Sequence, residues 1–205
     1  MASNLSLRGF FGPDNFFIVG LFVTLCALVA GGFSQYKDWF SVRTPREPSF
    51  SVWHVCYNGN WGVCVDPMSL DNQYDYGPAV ISSRIFLLLS ITTLLFLSIL
   101  ASGSLWGSPK INSVSPVIFV VLCVLALVFQ TLGNSIFEGA VRLRVTGYVT
   151  PYGMPRIDSD FGWAGYSAWL SFLLTIVSTG IYGSYSFCAQ RTMDEMEKLG
   201  DHDEE

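Results

Sequence analysis

Four long stretches without a charged residue run through this chain and constrain its fold more than any other feature. They lie between Asp14 and Lys37, Arg84 and Lys110, Lys110 and Glu138, and Asp160 and Arg191. Each is rich in Leu, Val, Ile and Phe and exceeds the roughly 20 apolar residues that a helix needs to cross about 30 Å of hydrocarbon. The chain is therefore predicted to cross a membrane four times.

The composition supports one membrane domain covering residues 1–205. Only 13% of the residues are charged, against roughly 25% in an ordinary soluble domain. The predicted spans are about 16–33, 79–101, 114–137 and 161–189, with outer loops at 34–78 and 138–160 and a cytosolic tail at 190–205. The net charge of −5 comes largely from that acidic tail, which reads as a solvated, disordered end. No basic cluster stands elsewhere, so nucleic acid is excluded as a partner.

The first outer loop is predicted to fold as a small β module. Residues 49–57 alternate and are rich in strand formers, and 61–65 read as a returning strand. A tight turn at Asn58-Gly59 would leave Cys64 out of register, whereas a wider turn centred on Asn60 sets Cys56 opposite Cys64. We favour the wider turn, with a disulfide that staples the hairpin.

The disulfide also determines the predicted orientation. Lysine and arginine are more numerous on the side of the two large loops, which by the positive-inside rule would make that side cytosolic. A disulfide requires an oxidising compartment, so we place both loops outside the cytosol and both termini inside it.

The second outer loop is predicted to add one strand to this sheet. Val141, Leu143 and Val145 alternate there with Arg142 and Arg144, which is the pattern of an amphipathic strand.

Polar residues inside or at the edge of the spans invite two interpretations. Arg84, in span two, either snorkels to the outer interface or forms an ion pair with Glu138 at the outer end of span three. Gln130, Asn134 and Glu138 repeat every four residues and share one helix face. Interhelical hydrogen bonding is the favoured interpretation of that stripe, and an ion or proton path is the alternative.

Small residues open span four and are expected to serve helix packing: Gly162, Gly165, Ala168 and Ser171. The inventory gives no catalytic site, metal site or cofactor, because His54 and His202 lie far apart and no nucleophile–base pair or phosphate loop is present. Cys188, at the inner end of span four, is a candidate for palmitoylation.

The arrangement resembles the claudin superfamily. Trp39, Trp53-x-x-Cys56 and Cys64 lie in a loop after the first of four spans, as in the claudins, the peripheral and epithelial myelin-type membrane proteins and the gamma-type channel auxiliary subunits. Ser82-Ser83-Arg84 and the start of span four at 161–167 look similar too. Ser51-Val52 stands in place of Gly-Leu before Trp53, and only seven residues separate the cysteines, so the chain resembles a divergent member.

The resemblance implies a left-handed four-helix transmembrane bundle topped by an extracellular antiparallel β-sheet. It implies that Trp39 and Trp53 anchor the sheet at the outer interface and that Cys56–Cys64 staples it. It further implies a plasma-membrane protein surrounded by lipid, with cell junctions as its location in the contact interpretation.

Two functions follow from the resemblance. The favoured one is a cell-contact protein whose sheets associate in cis and trans. Asp66 lies at the place where junctional claudins carry pore-facing charges; a solvated acidic loop is the favoured interpretation of this residue, and an ion-facing surface is the alternative. The other is an auxiliary subunit of an ion channel or receptor. The acidic C-terminus Asp203-Glu204-Glu205 differs from the hydrophobic end of junctional claudins and favours the auxiliary role.

Overall fold

Four long helices and a five-stranded sheet make up the described part of the protein. The structure, a computed structural model, describes residues 13–36, 38–42, 49–56, 64–67, 77–106, 115–142 and 159–200. The helices are α1 (Pro13–Tyr36), α2 (Gly77–Leu105), α3 (Pro116–Ser135, continued by a π-helical segment Ile136–Arg142) and α4 (Trp163–Gly200). The strands are β1 (Phe40–Val42), β2 (Ser49–Phe50), β3 (Val55–Cys56), β4 (Cys64–Val65) and β5 (Ser159–Phe161).

All four helices are long and apolar enough to cross a membrane. The spanning segments are Phe17–Tyr36, Gly77–Leu105, Pro116–Arg142 and Trp163–Ala189, each reaching beyond or close to the predicted limits. Helix α4 continues to Gly200, so residues 190–200 of the predicted tail are helical and only 201–205 lie outside the described residues. The prediction of a disordered tail is wrong for this part.

The helices pack in a ring, each against its neighbours in chain order, with α4 closing the ring on α1. The α1–α4 contact is the most extensive and is unusually polar. Thr24 and Ser178 share a hydrogen bond of 2.6 Å, and the Ser171 hydroxyl donates to the Ala27 carbonyl at 2.7 Å. Such bonds fix the register of two helices that lipid alone would not hold together.

The sheet, here called the β cap, lies at the end of the bundle where α1 ends and α2 begins. Its strand order is β4-β3-β2-β1-β5, and every neighbouring pair is antiparallel. Side chains of the cap and of the helices below it form one apolar core, which includes Phe50, Val55, Leu87, Phe137 and Ala168. This matches the predicted four-helix bundle with a small antiparallel β cap.

The predicted single strand over 49–57 is wrong. Residues 49–50 and 55–56 form two antiparallel strands, paired as Ser49 with Cys56 and Phe50 with Val55. Ser51 makes the reversal, because its hydroxyl accepts the backbone N–H groups of His54 at 2.9 Å and Trp53 at 3.2 Å. A serine hydroxyl that satisfies these amides stabilises a turn in place of a continued strand.

The second loop does add a strand, but at other residues than predicted. Val141 lies in the π-helical end of α3 and is 1% exposed within the apolar core, while Leu143 and Val145 lie outside the described residues. The strand is β5, which pairs with β1 through Phe161 opposite Phe40 and Asp160 opposite Ser41. Burial of Val141 under the cap outweighs its short alternating pattern.

Gly162 joins β5 to α4 at a point with no space for a side chain. Its N–H donates to the Trp39 carbonyl at 2.7 Å, and a Cβ atom there would overlap the Asp38 carbonyl. Gly165 is similarly confined by Phe161 and the Trp39 carbonyl. The first small residues of α4 therefore let the helix start directly against β1.

Gly162→Ala is expected to lower the free energy of unfolding by about 1–3 kcal/mol, because backbone atoms must move to make room. The measurement is chemical unfolding of the purified protein in mild detergent. Gly180→Ala is the matched control, since a Cβ at Gly180 meets nothing within 4 Å. Equal stability of the two variants would contradict the close contact.

Candidate functional site

The disulfide predicted between Cys56 and Cys64 is confirmed. The two residues are register partners on β3 and β4, with Cα atoms 4.2 Å apart. The pairing of Val55 with Val65 continues the same register. The connecting residues 57–63, including the predicted turn at Asn58-Gly59-Asn60, lie outside the described residues. The disulfide closes the β3–β4 hairpin at the outer side of the cap.

Trp39 ties α1 to the cap from inside the core. Its side chain is 1% exposed, so the contacts that it makes are with the protein core. Its indole N–H donates to the Ser34 carbonyl at 2.8 Å, and its ring packs edge-on against Phe137 at 4.8 Å. Its backbone N–H donates to the Phe50 carbonyl at 2.7 Å. One residue therefore connects a helix end, two strands and α3.

Trp53 lies at the rim of the cap and is 38% exposed. Its indole N–H donates to the Gln35 side-chain oxygen of α1 at 3.2 Å. On α2, the Arg84 guanidinium lies 4.8 Å from the centre of the Trp53 ring, in a cation–π contact. Trp53 thus bridges the first two helices, and its role as an anchor at the membrane boundary stays a prediction.

Arg84 holds the β2–β3 turn from below. Its Nε donates to the Val52 carbonyl at 2.8 Å, and one Nη donates to the Trp53 carbonyl at 3.4 Å. The same Nη donates to an Asp66 carboxylate oxygen at 2.8 Å. The Arg84 side chain is only 13% exposed. These contacts neutralise a nearly buried charge and satisfy turn carbonyls that have no place in the sheet ladder.

The predicted ion pair of Arg84 with Glu138 is wrong, because Arg84 pairs with Asp66. Glu138 lies on α3 and takes other partners: the Trp169 indole N–H at 3.1 Å and Arg142 at 3.4 Å. The sequence did contain a signal for the correct pair. With Cys56 opposite Cys64, the same register carries Asp66 to the level of His54, next to the turn that Arg84 contacts.

The polar stripe on α3 points into the bundle. Gln130 donates to the Ser171 hydroxyl of α4 at 2.9 Å, which is an interhelical hydrogen bond of the predicted kind. Gln130 Oε1, both amide atoms of Asn134 and the Ser90 hydroxyl are buried without a hydrogen-bond partner among the described residues. They line a cavity of about 10 Å³, roughly the space of a single water molecule. A cavity of this size favours packing over ion passage.

Three further predictions concern single residues or metals. Asp66 remains half-exposed while it binds Arg84, so its carboxylate is already engaged in the cap. Cys188 is exposed near the end of α4 remote from the cap, and palmitoylation there stays a prediction. Within the described ranges no three His, Cys, Asp or Glu side chains come together in a group that could hold a metal.

No protein-family model matches this chain, and no curated protein matches its sequence. The resemblance to claudins therefore stays a prediction from the sequence motifs.

Replacing both Cys56 and Cys64 by Ser is expected to lower the free energy of unfolding by about 2.5 kcal/mol, since the disulfide closes a short ring in the unfolded chain. Chemical unfolding in detergent measures the loss. Cys26→Ser is the matched control, because Cys26 lies within α1 away from the cap. Unchanged stability of the double variant would show that the disulfide does not stabilise the hairpin.

Arg84→Gln removes every contact of the guanidinium, including that with the Trp53 ring, whereas Asp66→Asn removes only the ion pair. Loss of the guanidinium leaves turn carbonyls unsatisfied and is expected to cost about 2–3 kcal/mol. Loss of the half-exposed carboxylate is expected to cost less than about 1 kcal/mol. Unfolding free energies in the same detergent measure both. If Asp66→Asn costs as much as Arg84→Gln, the ion pair and not the carbonyl contacts anchors the turn.

Proposed function

We propose that this chain is a claudin-like membrane protein of cell contacts, which associates through its β cap with other copies in cis and in trans. The observation that carries the proposal is the cap itself. It is a sheet in which a disulfide links β3 to β4, and Arg84 and Trp39 attach it to the helix bundle. A cap attached this firmly presents a fixed surface, which reduces the ordering cost of association.

The ends of the sheet supply the surface for such association. β4 and β5 are its edge strands, and each has one strand neighbour in the described part of the chain. Edge strands offer backbone donors and acceptors to another chain, which can then extend the sheet. Side-by-side association of caps is consistent with this arrangement.

The proposed location is the plasma membrane, with the cap outside the cell and both termini in the cytosol. The disulfide supports this orientation, because such bonds persist in oxidising compartments. Four spans then return the chain to the cytosolic side.

An auxiliary subunit of an ion channel or receptor is the second candidate. It is favoured by an aromatic surface at the cap end of α4, where Trp163 is 83% exposed and Tyr166 is 60% exposed. Their rings lie 6.4 Å apart. Exposed aromatic side chains suit both a membrane boundary and a helix of another protein.

The contact proposal predicts that the protein concentrates where two expressing cells meet. Two populations of non-adherent cells, each expressing a differently coloured fusion, are mixed, and fluorescence at heterotypic contacts is compared with the rest of the surface. Wild type is expected to be enriched there, and Arg84→Gln to lose most of the enrichment at equal surface amount. Arg191→Gln is the control, since Arg191 is exposed near the other end of α4.

Uniform surface distribution of the wild type would contradict the contact proposal. Recovery of the same protein in mild detergent with a stoichiometric channel or receptor subunit would favour the second candidate. Enrichment that Arg84→Gln and Arg191→Gln retain equally would show that the seated cap is not the contact surface.

A further inference from the structure

A groove of about 450 Å³ lies between α1, α2 and the β2–β3 turn. It is lined by Gly32, Gln35 and Tyr36 of α1, by Leu88 and Ile91 of α2, and by Trp53 and His54 of the turn. Its volume falls within the range of small-molecule sites. Tyr36 is 75% exposed and Leu88 is 44% exposed, so the groove opens on the side of the bundle that faces the membrane.

The lining of the groove is divided between apolar and polar residues. Gly32, Leu88 and Ile91 belong to the spanning segments and form an apolar floor. Gln35, Trp53 and His54 form a polar rim toward the cap. Trp53 is held on one side by Gln35 and on the other by Arg84, so the rim is already formed without a ligand. A preformed site of this kind suits an amphiphile with a large apolar body and a small polar end.

Gln35 offers a hydrogen-bond donor at the rim. Its side-chain oxygen accepts from Trp53, and its amide nitrogen donates to the Ser34 hydroxyl at 3.3 Å. An amide nitrogen carries two hydrogens, and the second has no partner among the described residues. Gln35 is only 6% exposed and lines the groove, so this donor is removed from bulk solvent.

The charges near the rim select against an anionic ligand. The carboxylate of Asp38 lies 4.0 Å from His54 Nε2 and is about half-exposed. The guanidinium of Arg84 is engaged by Asp66 at 2.8 Å. Among the described residues, a phosphate or carboxylate headgroup at this rim would therefore meet the Asp38 carboxylate, while Arg84 is already paired with Asp66. A neutral hydroxyl meets no such penalty and can both donate and accept a hydrogen bond.

We propose that the groove binds a sterol-type lipid, with the hydroxyl at the Gln35–His54 rim and the rigid apolar body on Gly32, Leu88 and Ile91. The site is independent of the cell-contact proposal, because it belongs to one copy of the chain. Trp53 lines the groove and also contacts Arg84, so a lipid bound in the groove is coupled to the cap through Trp53.

Gly32 provides a direct way to fill the groove. A Cβ atom at Gly32 meets nothing within 4 Å, so a larger side chain enters the groove without displacing a neighbour. Gly180 is the control: it is also helical and a Cβ there meets nothing within 4 Å, although Gly180 is exposed whereas Gly32 is half-buried. Gly32→Leu and Gly180→Leu therefore make the same chemical change at two open positions, of which one lines the groove.

The test uses the full chain in lipid nanodiscs with a photoactivatable sterol, and labelled peptides are mapped by mass spectrometry. Label is expected on peptides of α1 and α2 that border the groove and is expected to fall when unlabelled sterol is added. Gly32→Leu is expected to reduce that label about tenfold, which corresponds to ~1.4 kcal/mol of binding free energy. Gly180→Leu is expected to leave it unchanged.

Competition in the wild-type protein tests the proposal without any variant. Unlabelled sterol is expected to displace the probe and phosphatidylserine is not. Equal displacement by phosphatidylserine would overturn the sterol assignment. Label spread evenly over α3 and α4, or equal labelling of Gly32→Leu and Gly180→Leu, would contradict the groove as the binding site. A co-purified protein helix that blocks labelling in the wild type would show that the occupant is a protein.

Discussion

The geometry of the cap depends on Arg84. A guanidinium 13% exposed at the top of a spanning helix requires several partners, and it finds them in the carbonyls of Val52 and Trp53 and the carboxylate of Asp66. The same contacts satisfy the β2–β3 turn. A charge that would be costly to bury alone in the bundle thus attaches the sheet to α2. Trp39 completes the attachment from the α1 side, where it joins Ser34, Phe50 and Phe137.

Sequence patterns predicted the parts of the fold that local chemistry determines. The four spans follow from charge-free apolar stretches, because an uncharged apolar helix of this length has no other stable environment. The disulfide followed from hairpin register, since only the wider turn sets Cys56 opposite Cys64. The predicted bounds were too short at both ends of α1 and α2 and at the C-terminal ends of α3 and α4, where the residues remain helical. Helices α3 and α4 begin later than predicted, at Pro116 and Trp163.

The sequence did not predict the parts that tertiary contacts decide. Residues 49–57 alternate like a strand, yet Ser51 and Arg84 together stabilise a turn whose backbone groups need no strand partner. The sequence allows two interpretations of Arg84, snorkelling to the outer interface and an ion pair with Glu138 on the neighbouring span. The hairpin instead places Asp66 closer, and Glu138 turns to Trp169. The hairpin register indicates that Asp66 lies near the turn, but the partner of Arg84 also depends on where the cap sits over the bundle.

Hydrogen–deuterium exchange in nanodiscs tests the attachment of the cap most directly. If Arg84 and Trp39 seat the sheet, the amides of Trp39, Ser51 and Gly162, which donate to the Phe50, His54 and Trp39 carbonyls, will exchange slowly in the wild type. In Arg84→Gln they will exchange at least about tenfold faster, as loss of ~1.4 kcal/mol or more of local stability requires, while helix amides stay unchanged. Equal protection of these amides in both proteins would contradict the account.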